Sequence, residues 1–116
     1  MCVKTVIIIG GPTGAGKTAL SLAVARHFNT SIISADSRQC FRELNIGVAK
    51  PSPQQLQEIR HEFINSHSIR EEVNAALFEE LSLKWASEIF SNRDVLIMVG
   101  GTGLYLKAFC EGMDQI

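Results

Sequence analysis

The residues with the clearest chemical pattern run from Gly11 to Thr18 and read Gly-Pro-Thr-Gly-Ala-Gly-Lys-Thr. They satisfy G-x-x-x-x-G-K-[ST], in which the glycines let the backbone curl so that several N–H groups point inward. Those donors and the positive end of the following helix dipole form an anion site. Lys17 supplies a charge for terminal phosphate oxygens, and the Thr18 hydroxyl can bind Mg²⁺. We therefore predict a phosphate loop made of Gly11, Pro12, Thr13, Gly14, Ala15, Gly16, Lys17 and Thr18.

A second candidate, Asp36, follows the short apolar segment Ser31–Ala35. In a parallel sheet the ligand crevice lies outside the carboxyl ends of the strands. The phosphate loop and Asp36 are therefore expected to face the same crevice. A carboxylate there could hold Mg²⁺ through water, act as a general base, or cap a turn. Its position leaves all three uses open.

The elements that must position these residues alternate between strands and helices. The predicted strands are apolar and rich in β-branched residues, as is typical of strands buried on both faces: Val3–Ile9, Ser31–Ala35 and Asp94–Val99. Helices are predicted over Lys17–Phe28 and from Leu104 to Cys110. A further helix should start at Ser52, where Ser52 and Gln55 form a capping box. A long helix should follow the capping-box pattern Ser68–Glu71 and end at about Ser91. The fold class is α/β: a parallel, P-loop NTPase-like sheet with helices on both faces. We expect one domain over residues 1–116, forming the N-terminal part of a longer protein.

Composition narrows the class of protein. The 116 residues are 46% hydrophobic and carry a formal net charge of -1, which suits one packed domain and argues against a free-standing nucleic-acid binder. Three widely spaced cysteines, Cys2, Cys40 and Cys110, favour reduced thiols over a disulfide framework or a zinc site. The N-terminal apolar run is too short to cross a membrane. We expect a cytoplasmic protein without a membrane segment, acting as a monomer.

The phosphate loop alone does not define a reaction, but the end of the third strand is informative. Nucleotide hydrolases usually place an acidic metal ligand there, whereas this strand runs into Gly100, Gly101 and Thr102, and Asp94 stands at its other end. A hydrolytic motor or switch is therefore disfavoured. A small-molecule kinase, with ATP as donor and Asp36 activating a hydroxyl, stays open, as does a nucleotide-binding regulatory module.

Four stretches together are highly specific: "GPTGAGKT", "ISADSRQ", "IGVAKPS" and "VGGTGLYLKAFCEG". In order and spacing they resemble the N-terminal part of the tRNA dimethylallyltransferase (isopentenyl-tRNA transferase) family over essentially the whole chain. The resemblance implies transfer of a dimethylallyl group from dimethylallyl diphosphate to N6 of the adenine 3′ of the tRNA anticodon. The phosphate loop would then hold the diphosphate, with Mg²⁺ near Thr18.

The resemblance also implies roles for individual residues. Asp36, Thr18 and Thr102 would be catalytic, with Asp36 accepting a proton from the adenine amine or orienting it. The flipped-out base and its neighbours would contact the tRNA-binding set: Asp36, Ser37, Arg38, Gln39 and Thr102.

The middle of the chain departs from the family, because His61–Asn65 reads His-Glu-Phe-Ile-Asn where the family often has His-His-Leu-Ile-Asp. We assign that segment no role. Several other residues are interpreted as structural: His61 and His67 as loop-packing or surface residues, Trp85 as a packing residue, and Arg26 and Arg93 as solvated charges.

Overall fold

The computed structural model describes residues 4–11, 16–45, 48 and 50–114. In chain order the elements are β1 (Thr5–Ile9), α1 (Lys17–Phe28), β2 (Ile32–Ser34), α2 (Pro53–Glu58), β3 (His61–Glu62), α3 (Ala75–Phe90), β4 (Val95–Val99) and α4 (Gly103–Asp114). The three predicted strands and the helix Lys17–Phe28 are confirmed, with strand ends one or two residues shorter. Pro12, Thr13, Gly14, Ala15 and Cys2, which the sequence analysis names, lie outside the described residues.

The sheet is parallel throughout and has the strand order β1-β4-β2-β3. Among the described residues it has four strands where the sequence predicted three, because the two-residue strand His61–Glu62 pairs with Ile32 and Ile33. The prediction that β1 is buried on both faces is wrong. β1 lies at the sheet edge, its only strand partner in the described part of the chain is β4, and Ile8 is 41% exposed.

Two hydrophobic cores, one on each sheet face, confirm that helices cover both faces. Alternate residues of a strand point to opposite faces. Ile32 and Ile97 pack with Leu22 and Ala25 of α1, whereas the neighbouring strand residues pack against α3 and α4. The second core contains Ile33, Leu96, Met98, Phe78, Ala86, Tyr105 and Phe109.

The two predicted capping boxes behave differently. Ser52 caps α2 as predicted: its hydroxyl accepts from Gln55 N at 3.2 Å, and the Gln55 side chain accepts from Ser52 N at 2.8 Å. The prediction that a helix starts at Ser68 is wrong. The Ser68 hydroxyl donates to Glu43 at 2.7 Å, so the segment closes only a turn, and α3 begins at Ala75 behind the N-cap Asn74.

Three residues interpreted as structural can now be placed. Trp85 packs against the core beside Phe63, as predicted. Arg26 and Arg93 are exposed, as predicted for solvated charges, and each also has a partner in the protein: Arg26 pairs with Glu58 and Arg93 donates to the Asn29 carbonyl.

Candidate active site

The described end of the phosphate loop leads directly into α1. Gly16 is the N-cap and has φ 77°, a left-handed conformation that suits glycine. Having no side chain, it makes no cap bond to the first-turn N–H groups of α1, which are the donors that bind anions at helix N-termini. Lys17 Nζ donates to the Gly11 carbonyl at 2.7 Å, so the ammonium lies beside the residue that begins the predicted phosphate loop. This end of the site is electropositive.

Asp36 lies at the carboxyl end of β2 and organises the turn that follows, residues 36–40, here named the acceptor turn. Its Oδ1 accepts from Arg38 N at 2.8 Å and from Gln39 N at 3.2 Å. Ser34 Oγ donates to Gln39 Oε1 at 3.0 Å. The carboxylate therefore does cap a turn, and its other oxygen, Oδ2, is the one that these bonds leave for a substrate.

The loop after β4 is fastened to the acceptor turn. Thr102 Oγ1 accepts from Ser37 N at 3.1 Å, and Thr102 N donates to the Ala35 carbonyl at 3.2 Å. A Cβ on Gly100 would lie 2.3 Å from the Ala35 oxygen, so this approach of two backbones requires glycine. The glycines after β4 thus bring Thr102 against the acceptor turn.

A cavity of about 340 Å³ joins the two parts and is named here the site cavity. Lys17 and Thr18 line it together with Asp36 and Gln39, as expected for residues at the carboxyl ends of parallel strands. The other lining residues are Gly16, Ala19, Ser21, Pro51, Gln55, His61, Ile64, Val99 and Gly100. Ser37, Arg38 and Thr102 are not among the lining residues, although all three belong to or contact the acceptor turn.

Sequence reasoning missed one wall of the site cavity, formed by Pro51, Gln55, His61 and Ile64 and named here the acceptor wall. His61, interpreted as a packing or surface residue, is half-buried in this wall, and Ile59 O lies 2.8 Å from its Nδ1. Burial lowers the pKa of His61, which favours the neutral ring. The Ser52 capping box marked the start of α2, but no local signal indicated that α2 and β3 would face the phosphate loop.

The arrangement has a defined chemical capacity. The site cavity offers a lysine, a hydroxyl and the first turn of α1 for a phosphate or diphosphate, and a carboxylate lines the same cavity. β4 is followed by Gly100, Gly101 and Thr102, and Asp94 sits at the opposite edge, paired with Lys4 at 2.9 Å. Fold and site thus define a P-loop-type α/β protein in which Gly100, Gly101 and Thr102, and not an acidic residue, follow β4.

Comparison with known proteins names the family. The family model described as IPP transferase matches residues 39–116, about two thirds of the chain. The chain belongs to the IPP transferase family, and the resemblance found in the sequence is confirmed.

Individual relatives agree with this assignment. The chain is 50% identical over 113 residues to a tRNA dimethylallyltransferase of Cytophaga hutchinsonii, covering 97% of this chain and 37% of the relative. It is 42% identical to tRNA dimethylallyltransferase 1 of Bacteroides fragilis, covering 100% and 38%. The chain thus spans little more than a third of the length of these curated relatives.

Solved structures share the fold. A tRNA delta(2)-isopentenylpyrophosphate transferase from Staphylococcus epidermidis superposes with a TM-score of 0.84 at 36% identity, covering 92% of this chain and 35% of that one. A eukaryotic dimethylallyltransferase acting on tRNA gives 0.84 at 34% identity, covering 90% and 26%.

Proposed function

We propose that the protein transfers a dimethylallyl group from dimethylallyl diphosphate to N6 of the adenine 3′ of the anticodon in tRNA, releasing diphosphate. The observation that carries the proposal is the site cavity, which Asp36 lines together with Lys17 and Thr18. Family membership and the names of the relatives support the same reaction.

The phosphate loop would bind the diphosphate of the donor. Charge grows on the bridging oxygen as the allylic C–O bond breaks, and preorganised donors at that point lower the barrier. The first-turn N–H groups of α1 and the Lys17 ammonium supply such donors. Diphosphate leaves with the electron pair of the broken bond.

Asp36 would act on the acceptor. The lone pair of N6 attacks the allylic carbon, and one N6 proton passes to Asp36 Oδ2 while Oδ1 stays bonded to the acceptor turn. The adenine must leave its stack to enter the cavity. Gln39, Ser37, Arg38 and Thr102 lie on or beside this turn, and we propose that they contact the tRNA.

The lining residues fit a magnesium ion shared with the donor. The Thr18 hydroxyl offers an oxygen ligand, which Mg²⁺ prefers, and substrate phosphates commonly complete its coordination. In the described part of the chain no group of three or more His, Cys, Asp or Glu side chains could hold a metal alone. When bound, Mg²⁺ would neutralise charge on the departing diphosphate.

Two further expectations accompany the proposal. We expect the protein to act as a monomer. We expect the reaction to take place in the cytoplasm, where a tRNA substrate would be met. In the described residues no helix is both long and apolar enough to cross a bilayer.

An experiment that compares two labelled donors in separate incubations tests the proposal against the kinase alternative. The intact gene product is incubated with tRNA and Mg²⁺, together with either ¹⁴C-labelled dimethylallyl diphosphate or γ-³²P-labelled ATP. We expect ¹⁴C in tRNA and no ³²P transfer, because the group that moves to the acceptor is the dimethylallyl group and not a phosphoryl group. Transfer of ³²P to any acceptor, without ¹⁴C in tRNA, would establish a kinase instead.

A further inference from the structure

Lys50 lies between the acceptor turn and the acceptor wall, although it does not line the site cavity itself. Its ammonium donates to three oxygens: Phe41 O at 2.8 Å, Asn65 Oδ1 at 2.7 Å and Asn45 Oδ1 at 3.2 Å. An ammonium group has three donors and these bonds use them all. Lys50 is therefore committed to the protein and not to a ligand.

The oxygens belong to separate parts of the site. Phe41 directly follows the acceptor turn, and Asn65 directly follows Ile64 of the acceptor wall. Pro51, another residue of that wall, is the next residue after Lys50 itself. One cation thus joins the acceptor turn to two points of the acceptor wall.

Backbone bonds run alongside this junction. Asn65 N donates to the Gln39 carbonyl at 3.0 Å, His67 N to the Cys40 carbonyl at 2.9 Å, and Arg42 N to the His67 carbonyl at 2.9 Å. The segment 65–67 therefore lies edge-on against residues 39–42. It is held there by three backbone bonds together with the Lys50 ammonium.

Two residues at the start of this region, Phe63 and Asn65, have left-handed backbone conformations, and that of Phe63 is strained. Phe63 has φ 68° and Asn65 has φ 55°, and a bulky side chain such as that of Phe63 is rarely found in this region. Strained conformations persist only where surrounding structure over-determines them. Phe63 is held by packing against the rings of Phe78 and Trp85, and Asn65 is held by Lys50. Ile64, between them, is thereby aimed at the site cavity.

We infer that Lys50 is a positioning residue, whose ammonium fixes the distance between the acceptor turn and the acceptor wall and so shapes the end of the cavity that receives the nucleophile. As a positioning effect on prenyl transfer, this rests on the proposed function. A lysine beside an RNA site could instead contact a phosphate, and the test must separate these two roles.

The first arm needs no activity. Amide hydrogen exchange is compared in the intact gene product and in Lys50→Met, with the exposed Lys84→Met as a control for charge. Local opening governs exchange at such amides. Loss of three charge-assisted bonds should speed exchange at Asn65 and His67 about tenfold or more, while Ala35, bonded to Val99 O at 2.7 Å, stays protected. Unchanged exchange at Asn65 and His67 would overturn the inference.

The second arm measures catalysis and binding. Lys50→Met should lower kcat about tenfold and leave the KM for dimethylallyl diphosphate within about twofold, because the bonds of Lys50 go to Phe41, Asn45 and Asn65 and not to the residues proposed to bind the diphosphate. The dependence of tRNA affinity on salt should not change. A salt slope reduced by about 1 would mark a phosphate contact and would overturn the inference.

Substitutions at Asn65 keep the test valid if Lys50→Met fails to fold. Asn65→Gly tolerates the left-handed φ but removes the acceptor oxygen, so it should reproduce the kinetic and exchange effects. Asn65→Asp keeps an oxygen for Lys50, so kcat and the exchange rates should both stay close to those of the wild type. A wild-type protein that does not prenylate tRNA but shows the exchange pattern would refute the proposed reaction alone. An active wild type whose Lys50→Met variant has unchanged kcat and unchanged exchange would refute this inference alone.

Discussion

Replacing Asp36 by asparagine separates its proposed chemical role from its structural one. Asp36 Oδ1 accepts from Arg38 N and Gln39 N, and the asparagine side chain would keep an oxygen at that place while losing the basic carboxylate. A positioned general base contributes about 10²–10⁴-fold to rate, or about 3–5 kcal/mol of barrier. Asp36→Asn should lower kcat by that factor and leave affinity for donor and tRNA within about twofold.

Asp36→Ala is the matched comparison. It removes the base and also the two turn bonds, each worth about 0.5–1.5 kcal/mol, so the free energy of unfolding should fall by about 1–3 kcal/mol. Single-turnover prenyl transfer, tRNA binding and urea denaturation are measured for both variants. If Asp36→Asn keeps more than half of the wild-type rate, or loses tRNA affinity in proportion to rate, Asp36 is not the base.

Three further tests address the packing and ionisation of the site. Gly100→Ala places a methyl group 2.3 Å from a carbonyl oxygen and should lower the free energy of unfolding by about 1–3 kcal/mol. Gly103→Ala is the control, because its Cβ would meet nothing within 4 Å and should leave the free energy of unfolding unchanged. Equal losses for the two variants in urea denaturation would contradict the close contact at Gly100. Burial lowers the pKa of His61 below 6.5, so the stability that its neutral ring contributes is present above pH 6.5 and is lost as pH falls through the folded-state pKa. Wild-type stability should therefore drop more steeply than that of His61→Gln on acidification from about pH 7 to pH 5, and parallel curves would refute the assignment. Burial raises the pKa of Cys40 to about 11, so iodoacetamide at mildly alkaline pH should alkylate the exposed Cys110 first. Peptide mass analysis measures the alkylation rate of each cysteine, and comparable rates for Cys40 and Cys110 would contradict the burial of Cys40.

Local sequence signals were enough to place α1, which follows the predicted phosphate loop, and most other elements. The boundaries of α1 and the Ser52 capping box depend on neighbours within a few residues, and both predictions are confirmed. Asp36 could be placed near Lys17 from topology alone, since both follow strands of one parallel sheet.

Predictions were wrong where distant residues determine the structure. β3 is only two residues long and exists because β2 offers it an edge, so it has no periodic pattern of its own. Ser68 has a local capping-box pattern, but its hydroxyl bonds to Glu43, which is distant in sequence. The acceptor wall, with His61 and Ile64, depends on the pairing of β3 with β2. These parts of the fold could be found only from coordinates.

The measurement closest to the central claim maps the product to one atom of one nucleotide. The intact gene product is incubated with unmodified tRNA, dimethylallyl diphosphate and Mg²⁺, and the digested RNA is analysed by nucleoside mass spectrometry, beside a tRNA in which guanine replaces the adenine 3′ of the anticodon. We predict N6-(dimethylallyl)adenosine at that position and no prenylated nucleoside from the guanine variant. Prenylation of another atom or another nucleotide, or an unmodified tRNA, would contradict the joint action of Asp36 and the phosphate loop at a single adenine amine.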